Sequence, residues 1–300
     1  MIQVDDLWKK YGRRDALRGL SFEVPQGSAL ALIGANGAGK TTTIKTILNM
    51  LEPTRGRVSI LGVDSRRISP RELSRIGYVS ESQDLPGALT VGQYLDYLRP
   101  FYPQWDKDLE KSIRRQLDLP DDQKIRNLSH GMRIKTALAC ALPFRPKLLI
   151  LDEPFSGLDP LARDEFMEEL LAQAGEMTVL ISSHELGEIE GVATDVAFID
   201  EGRLLFQESM GDLTERFRQV RLTLDHEATI PNGAPKEWLC IRAVGSVLTF
   251  VDGTYSEANL AERVRSQCSG VKHIDSEPMT LRSIFTTLAR SSRANKGGDL

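Results

Sequence analysis

The stretch "ALIGANGAGKTT", residues 31–42, decides how this chain of 300 residues folds. It places Gly34, Gly39, Lys40 and Thr41 at the spacing GxxxxGK(S/T), directly after an apolar run. Glycines let the backbone turn tightly with its N–H groups pointing inward, and the positive end of a following helix adds to this anion-binding arrangement. The stretch therefore predicts a strand, a loop that binds a nucleoside triphosphate, and a helix that begins at Lys40.

Individual side chains of this loop have predicted contacts with the nucleotide. Lys40 is expected to reach the β- and γ-phosphates, the Thr41 hydroxyl to ligate Mg²⁺, and Thr42 to cap the first helical turn and touch the phosphates. A glycine-rich turn without a ligand is the alternative, but the strand before the loop and the helix after it favour binding. The predicted nucleotide-binding residues of the loop are Gly34, Asn36, Gly37, Ala38, Gly39, Lys40, Thr41 and Thr42.

A second apolar run, "KLLILDEP" at residues 147–154, ends in two neighbouring acids, Asp152 and Glu153. A carboxylate at a strand end beside a phosphate loop is placed to hold Mg²⁺ through water, and the adjacent acid can polarise the attacking water. Such a pair alone is more often the start of a solvated loop. The apolar run and the phosphate loop reverse that preference, so Asp152 is a predicted metal ligand and Glu153 a predicted catalytic residue.

Composition and charge exclude several classes of protein. A net charge of −4 argues against a protein that neutralises nucleic-acid phosphates over a broad surface. Cys140, Cys240 and Cys268 lie far apart, with no CxxC pair, and so predict neither a disulfide framework nor a zinc site. The amino terminus lacks the apolar run of a signal peptide, and no apolar stretch has the ~20 residues of a membrane span. The chain is expected to be soluble by itself, in a reducing cytoplasm.

The order of the apolar runs predicts two domains and a tail. Six short runs alternate with helix-like segments, a pattern typical of crossover units with buried parallel strands. The segment from Leu89 to Leu142 has no convincing strand and predicts a helical lobe, and near Phe217 the pattern changes to a small α+β unit. The six runs are "LSFEV", "ALALIG", "VSILG", "LLILD", "TVLISS" and "VAFID". The predicted boundaries are 1–216, with the lobe at about 85–145, then 217–290, and a disordered tail at 291–300.

Further motifs follow the phosphate loop in a fixed order. The segments "LSHGMRIKTALACAL" (128–142), "PKLLILDEPFSGLD" (146–159) and "LISSH" (180–184) resemble the signature segment, the Walker B strand with D-loop, and the histidine switch of ATP-binding cassette (ABC) ATPases. The resemblance covers residues 1 to about 215. It implies an α/β fold: a P-loop NTPase (ABC ATPase) domain with a mixed sheet and a helical lobe, followed by the small C-terminal α+β domain.

The resemblance also implies roles for residues outside the phosphate loop. Tyr11 matches the aromatic residue that stacks on adenine. Ser129 and Gly131 match signature positions that reach across a dimer to the γ-phosphate bound by the other subunit. Asp159 matches the aspartate that lines the dimer seam, and His184 matches the switch histidine that contacts the γ-phosphate. Together with Lys40 and Glu153, His184 completes the predicted catalytic set.

The chain departs from the family pattern at two places. The usual signature is LSGGQ, whereas here His130 stands where glycine is commoner, and its side chain could crowd the facing nucleotide or add charge at low pH. The segment that normally carries a γ-phosphate-sensing Gln has Glu81 at the matching position and Gln83 two residues later. The sequence leaves open which of the two senses the phosphate.

The resemblance implies an ATP-binding and ATP-hydrolysing subunit of a transporter, similar to the ABC-2-type bacterial exporter group. Its implied partners are separate transmembrane permease subunits and a second copy of itself or a paralogous ATPase, with ATP and Mg²⁺ as cofactors, at the inner face of the cell membrane. One alternative is a soluble ABC ATPase that acts on nucleic acid or ribosomes. Such proteins usually carry two cassettes, a coiled-coil insertion or zinc modules, and none is visible here. A degenerate module without hydrolysis is a second alternative, which the catalytic residues disfavour.

Overall fold

The computed structural model describes residues 1–175 and 177–296 of the chain. The backbone divides into two compact units, one from Met1 to Gln207 and one from Glu208 onward. The second unit begins before Phe217, where the sequence predicts the boundary. The reason is local: Arg216 pairs with Glu208 over 2.5 Å and donates to the Gly253 carbonyl over 2.5 Å, which holds residues 208–216 on that unit.

The first unit combines two sheets with six helices among its described residues. In chain order its strands are β1 (Ile2–Tyr11), β2 (Arg14–Val24), β3 (Ala29–Ile33), β4 (Arg55–Ile60), β5 (Val63–Asp64), β6 (Ile76–Ser80), β7 (Leu148–Asp152), β8 (Thr178–Ser183), β9 (Asp195–Asp200) and β10 (Arg203–Ser209), the last of which runs into the second unit. Its helices are α1 (Lys40–Ile47), α2 (Pro70–Leu73), α3 (Val91–Leu98), α4 (Lys107–Gln116), α5 (His130–Ala141) and α6 (Pro160–Ala174).

The main sheet has the strand order β10-β9-β3-β8-β7-β6, and its central strands run parallel. β7 and β8 are buried along their whole length, which explains why they appear in the sequence as continuous apolar runs. The parallel register places Asp152 opposite Ser182, and Ile33 opposite Ser183. The carboxyl ends of β3, β7 and β8 therefore meet at one edge, where the phosphate loop follows β3.

Two of the six predicted parallel strands belong to a different sheet. "LSFEV" lies in β2 and "VSILG" overlaps β4, and both strands pair antiparallel with β1 in the order β2-β1-β4-β5. Only two residues, Gly12 and Arg13, separate β1 from β2, and so short a connection permits only a hairpin. The prediction of parallel strands is wrong for these two runs, because apolar content does not reveal the direction of pairing.

One strand of the main sheet is absent from the predicted runs. β6 has the sequence "IGYVS" and forms the edge beside β7. A glycine and a serine interrupt its apolar character, so its periodicity is weak. This strand nevertheless matters, because the segment with Glu81 and Gln83 follows it directly.

The predicted helical lobe contains α3, α4 and α5. Each helix begins at a side chain that accepts a backbone N–H: Thr90 for α3, Asp106 for α4 and Ser129 for α5. In α5 the side chains from Ile134 to Ala141 are buried, among them Cys140, and burial raises the pKa of its thiol. Cys140 therefore packs inside the lobe rather than presenting a reactive thiolate.

The second unit is an antiparallel sheet with helices. Its sheet has the order β12-β13-β11-β14, and its core packs side chains of β11 and β13 against Leu260 and Val264. The last helix continues to Lys296, inside the segment predicted as a disordered tail, and residues 297–300 lie outside the described residues. The elements are α7 (Met210–Arg216), β11 (Arg218–Leu224), β12 (Trp238–Val244), β13 (Val247–Asp252), α8 (Glu257–Gln267), β14 (Val271–Pro278) and α9 (Leu281–Lys296).

Among the helices that the structure describes, none combines the length and the apolar character needed to cross a lipid bilayer.

Candidate functional site

The loop between β3 and α1 has the backbone of an anion-binding turn. Gly37 and Gly39 adopt φ angles of 85° and 114°, in the region that favours glycine. A Cβ atom on Gly34 would lie 2.3 Å from the Ile199 carbonyl oxygen, so only glycine fits there. No side chain caps the start of α1, which leaves its first N–H groups available to an anion.

A cavity of about 450 Å³ opens at this loop. Its volume lies within the range of small-molecule sites. The cavity brings together the loop, the end of β7 and the β1–β2 hairpin. Its lining residues are Tyr11, Arg14, Ala16, Asn36, Gly37, Gly39, Lys40, Thr41, Thr42, Glu81 and Glu153.

Lys40 is held inside the loop by its own chain. Its side chain is 5% exposed, and Nζ donates to the carbonyl oxygens of Gly34 at 2.5 Å and Ala35 at 3.3 Å. The same atom lies 3.0 Å from Glu153 Oε1. A buried ammonium group needs such a counterion. Phosphate oxygens that reach Lys40 would therefore compete with Glu153 for it.

Glu153 lies between Lys40 and His184. Its second oxygen, Oε2, is 2.8 Å from His184 Nδ1, and this hydrogen bond raises the pKa of the imidazole. Glu153 has a φ of 52°, and its N–H donates to Ser182 Oγ over 3.0 Å. Lys40 and His184 thus each contact one carboxylate oxygen, and the three predicted catalytic residues form one cluster.

Asp152 forms an oxygen-rich pair with the loop. Its Oδ1 accepts hydrogen bonds from Thr41 Oγ1 at 3.1 Å and from Ser182 Oγ at 2.7 Å. Burial raises the pKa of Asp152, although these two hydrogen bonds act in the opposite direction. A buried carboxylate beside a hydroxyl oxygen is a donor set that suits Mg²⁺, and a cation there would favour the ionised acid. The residues predicted as metal ligands therefore fit that ion.

Ser182 is a site residue that the sequence reasoning missed. Its hydroxyl donates to Asp152 and accepts the Glu153 N–H, so it fixes both acids. The parallel register of β7 and β8 places it opposite Asp152. The available signal was its position in "LISSH", two residues before His184.

The structure distinguishes Glu81 from Gln83. Glu81 lines the nucleotide cavity, and its Oε1 accepts a hydrogen bond from Ser156 Oγ at 2.7 Å. The Gln83 side chain turns back toward the Ser80 N–H, at 3.4 Å, and lines a neighbouring groove instead. Only Glu81 is brought to the phosphate loop.

The β1–β2 hairpin contributes Tyr11 and Arg14 to the cavity. Tyr11 is 49% exposed, so its ring is available for stacking, and Lys9 Nζ lies 5.4 Å from the ring centroid. Arg14 was not predicted. It lies at the loop, since its Nη2 would be 3.6 Å from a Cβ on Gly37. The sequence offers no fixed spacing that identifies it.

The residues implied in dimer contacts do not line this cavity. Ser129 Oγ accepts the Met132 N–H at the start of α5, and Asp159 Oδ1 accepts the Ala162 N–H at the start of α6. His130, expected to crowd a facing nucleotide, instead places Nε2 3.0 Å from the Ser156 carbonyl oxygen of its own chain. Gly131 packs closely, since a Cβ there would lie 3.2 Å from Leu158.

Known proteins resemble this chain in sequence and in fold. A family model described as ABC transporter matches residues 17–156. The chain is 34% identical over 220 residues to the uncharacterized ABC transporter ATP-binding protein YcbN of Bacillus subtilis (strain 168), covering 71% of each chain. It is 34% identical over 223 residues to the bacitracin transport ATP-binding protein BcrA of Bacillus licheniformis, covering 73% of each. The chain belongs to the ABC transporter family. A solved ATP-binding subunit of an ABC transporter matches with a TM-score of 0.65 and 30% identity, over 72% of this chain and 92% of the other.

This ABC protein is the ATP-binding and ATP-hydrolysing subunit of a transporter. The predicted family, fold class and ATPase activity are confirmed. The alternative of an ABC ATPase that acts on nucleic acid or ribosomes is not favoured by these relatives.

A further acid of the ABC site, Glu188, was also missed. It is buried, accepts a hydrogen bond from Ser183 Oγ at 2.5 Å, and pairs with Arg163 on α6 at 3.2 Å. Carboxylate oxygens of Glu153 and Glu188 lie within 4.8 Å of each other and of a His184 nitrogen. Arg163 pairs with the charge of Glu188 and Ser183 donates a hydrogen bond to it, so Glu188 links the switch segment to α6.

Proposed function

We propose that ATP joins two copies of this ABC ATPase face to face, and that hydrolysis at Glu153 lets them separate and so drives export through separate membrane subunits. The observation that carries this proposal is the cluster in which Glu153 contacts Lys40 at 3.0 Å and His184 at 2.8 Å. Glu153 therefore lies beside Lys40, which binds phosphate, and beside His184, which holds the carboxylate in position.

The phosphate-binding side of the reaction belongs to the loop and α1. The free N–H groups of the loop bind phosphate oxygens, with Lys40 on the β- and γ-phosphates. Thr41 and Asp152 would hold Mg²⁺, Asp152 through water. When bound, the ion neutralises charge that develops on the phosphoryl oxygens. Tyr11 stacks on the adenine ring, and Arg14, on the same wall, contacts the phosphates.

The water-activating side belongs to Glu153. Once phosphate oxygens replace it at Lys40, its Oε1 is released to orient the attacking water and to accept the proton. Ser182 keeps the backbone of Glu153 in place, since it accepts that residue's N–H. His184 holds the second oxygen of Glu153 before nucleotide binds and contacts the γ-phosphate afterwards. Glu81 senses the same phosphate, and its hydrogen bond to Ser156 couples its position to the loop before α6.

The second copy supplies the residues that the cavity lacks. Ser129 is exposed at the amino end of α5, an end that favours anions, and Gly131 adds no side chain beside it. The γ-phosphate of one copy is thus contacted by Ser129 of the other, and Asp159 lines the seam. Cleaving that phosphate removes the bridge, which is the logic of a nucleotide switch.

The transport role needs partners beyond the ATPase. We propose that this chain lies at the inner face of the cell membrane, where the lobe that contains α3 and α4 contacts separate transmembrane permease subunits. The bacitracin transport protein among the relatives supports a transporter of this kind, and the direction, export, follows the resemblance to ABC-2-type exporters. Affinity purification in mild detergent should recover a membrane protein. Recovery of ribosomes or DNA instead would favour the soluble alternative.

The catalytic assignment is tested by Glu153→Gln, which keeps the shape of the side chain and removes its charge. ATP hydrolysis should fall by at least about 100-fold while ATP binding persists, because the loop is unchanged. Glu185→Gln, one residue beyond His184 and exposed, is the matched control and should keep full activity. Unchanged hydrolysis in Glu153→Gln would remove Glu153 from the mechanism.

A further inference from the structure

A groove in the second unit lies beside α9, on the face of the sheet opposite the core. Along β13, Leu248 and Phe250 pack into the core, whereas Thr249 and Val251 point to the other face and line the groove. The groove has a volume of about 380 Å³, within the range of small-molecule sites. Its residues all belong to the second unit, and none of them lines the nucleotide cavity.

A β-bulge directs two side chains into this groove. The register between β12 and β13 shifts between Leu239 and Arg242, and Cys240, within the shift, has a φ of 52°. Bulges re-aim the side chains that follow them and recur beside functional sites. Cys240 and Arg242 both line the groove as a result.

Three arginines line the groove. Arg242 comes from β12, while Arg282 and Arg290 come from one face of α9, eight residues or about 12 Å apart along the helix. All three are exposed. No carboxylate lines the groove, and none lies within ion-pair distance of these three arginines in the part of the chain that the structure describes.

Two other arginines of the same unit pair with acids. Arg263 is 3.0 Å from the buried Asp252, and Arg216 is 2.5 Å from Glu208. On the face of the groove, the register of β11 and β14 places Glu277 opposite Gln219, but Glu277 does not line the groove. Among the described residues, no acid therefore forms an ion pair with an arginine of the groove.

The other residues of the groove supply hydroxyl groups and apolar side chains. The hydroxyl groups of Thr286 and Thr287 already donate hydrogen bonds to carbonyl oxygens of α9. The donors that remain for an anionic ligand are therefore mainly the guanidinium groups. Val251 and Met279 are 7% and 9% exposed and form apolar parts of the lining. A ligand that matches this lining is a small molecule with an anionic group.

We propose that this groove binds a small molecule with a phosphate or carboxylate group, whose oxyanion contacts Arg242, Arg282 and Arg290. A guanidinium group presents a planar fork of donors that matches either oxyanion in a two-point contact. The ligand displaces only water, because no internal ion pair has to break.

Cys240 reports occupancy of the groove without an assumption about the natural ligand. In the full-length, nucleotide-free protein, the rate of its alkylation by iodoacetamide is measured by peptide mass spectrometry, with Cys268 as the internal control. Pyrophosphate represents the phosphate class and citrate the carboxylate class. At least one of the two anions, at twice its Kd, should slow Cys240 by about threefold and leave Cys268 unchanged. The anion that protects identifies the class.

Matched variants decide whether the arginines cause the protection. Arg242→Gln combined with Arg282→Gln should abolish it, whereas Arg265→Gln, exposed on α8 and outside the groove, should preserve it. Protection should also survive in Lys40→Ala, which excludes an effect of the phosphate loop. The proposal would be overturned if neither anion protects Cys240 at millimolar concentration, or if Cys268 is protected equally. It would also be overturned if protection survives the double substitution, or if only vesicles of anionic lipid protect.

Discussion

The nucleotide cavity and the arginine groove both present cations to an anion, yet they hold those cations differently. Lys40 is buried and pairs with Glu153 at 3.0 Å, whereas Arg242, Arg282 and Arg290 are exposed and no carboxylate lines their groove. A buried charge requires a counterion, while water solvates an exposed one. A ligand in the cavity must therefore rearrange internal contacts, and that rearrangement can be coupled to work. A ligand in the groove binds without any such rearrangement of internal contacts.

The largest effect should come from breaking a buried ion pair. Asp252 is fully buried and pairs with Arg263, so Arg263→Met leaves its charge without a partner. Unfolding free energy should fall by about 3–5 kcal/mol, measured by urea denaturation. Arg242→Gln in the groove is the exposed counterpart and should change stability by less than about 0.5 kcal/mol. Equal effects of the two variants would contradict the expectation that a buried charge depends on its counterion more than an exposed one does.

The next effect concerns the buried cation of the nucleotide cavity. Lys40→Ala should lower ATP hydrolysis by about 100- to 1,000-fold, because a phosphate-binding charge is lost and Glu153 loses the ammonium group beside its Oε1. Phosphate release is the measurement, and Lys111→Ala, exposed on α4, serves as control. Undiminished turnover by Lys40→Ala would reject the assignment of the loop.

A smaller loss is expected from Ser182→Ala. The substitution removes a hydrogen bond to the buried Asp152 and the acceptor of the Glu153 N–H. Hydrogen bonds to charged groups contribute about 1.5–3 kcal/mol, which corresponds to a decrease in kcat of roughly tenfold or more. Steady-state ATP hydrolysis measures it, with Ser112→Ala on α4 as control. A kcat equal to that of the wild type would show that Ser182 does not position the acids.

The smallest effect is a shift in the titration of His184. Its hydrogen bond to Glu153 raises its pKa, so the contribution of this pair to stability is complete at low pH and is lost as pH rises through the raised pKa. In Glu153→Gln the pKa of His184 should fall toward its ordinary value. NMR titration of the imidazole in the nucleotide-free protein measures this, and an unchanged pKa would mean that another group causes the shift.

The sequence predicts features that depend on local spacing and misses those that depend on pairing between distant segments. Gly34, Lys40 and Thr41 can be identified from the sequence because a phosphate-binding loop requires these residue types at fixed spacing within a few residues. Ser182 comes to Asp152 only through the register of two parallel strands.

Other parts of the fold show the same limit. The direction of β2 and β4 is set by pairing with β1, which the apolar content of the runs does not encode. The choice between Glu81 and Gln83 depends on which way each side chain turns after β6. In the groove, Arg242 and Arg282 are separated by forty residues of sequence, and only the packing of α9 beside β12 brings them together.

The central claim is that ATP joins two copies of the chain, and sedimentation of Glu153→Gln tests it most directly. With ATP and Mg²⁺, this variant should sediment as a dimer, because the bridging phosphate is retained, and as a monomer without nucleotide. A second substitution, Ser129→Arg, should return it to monomer, since α5 would no longer admit the phosphate of the other copy. A Glu153→Gln protein that binds ATP yet remains monomeric at every concentration would contradict the account.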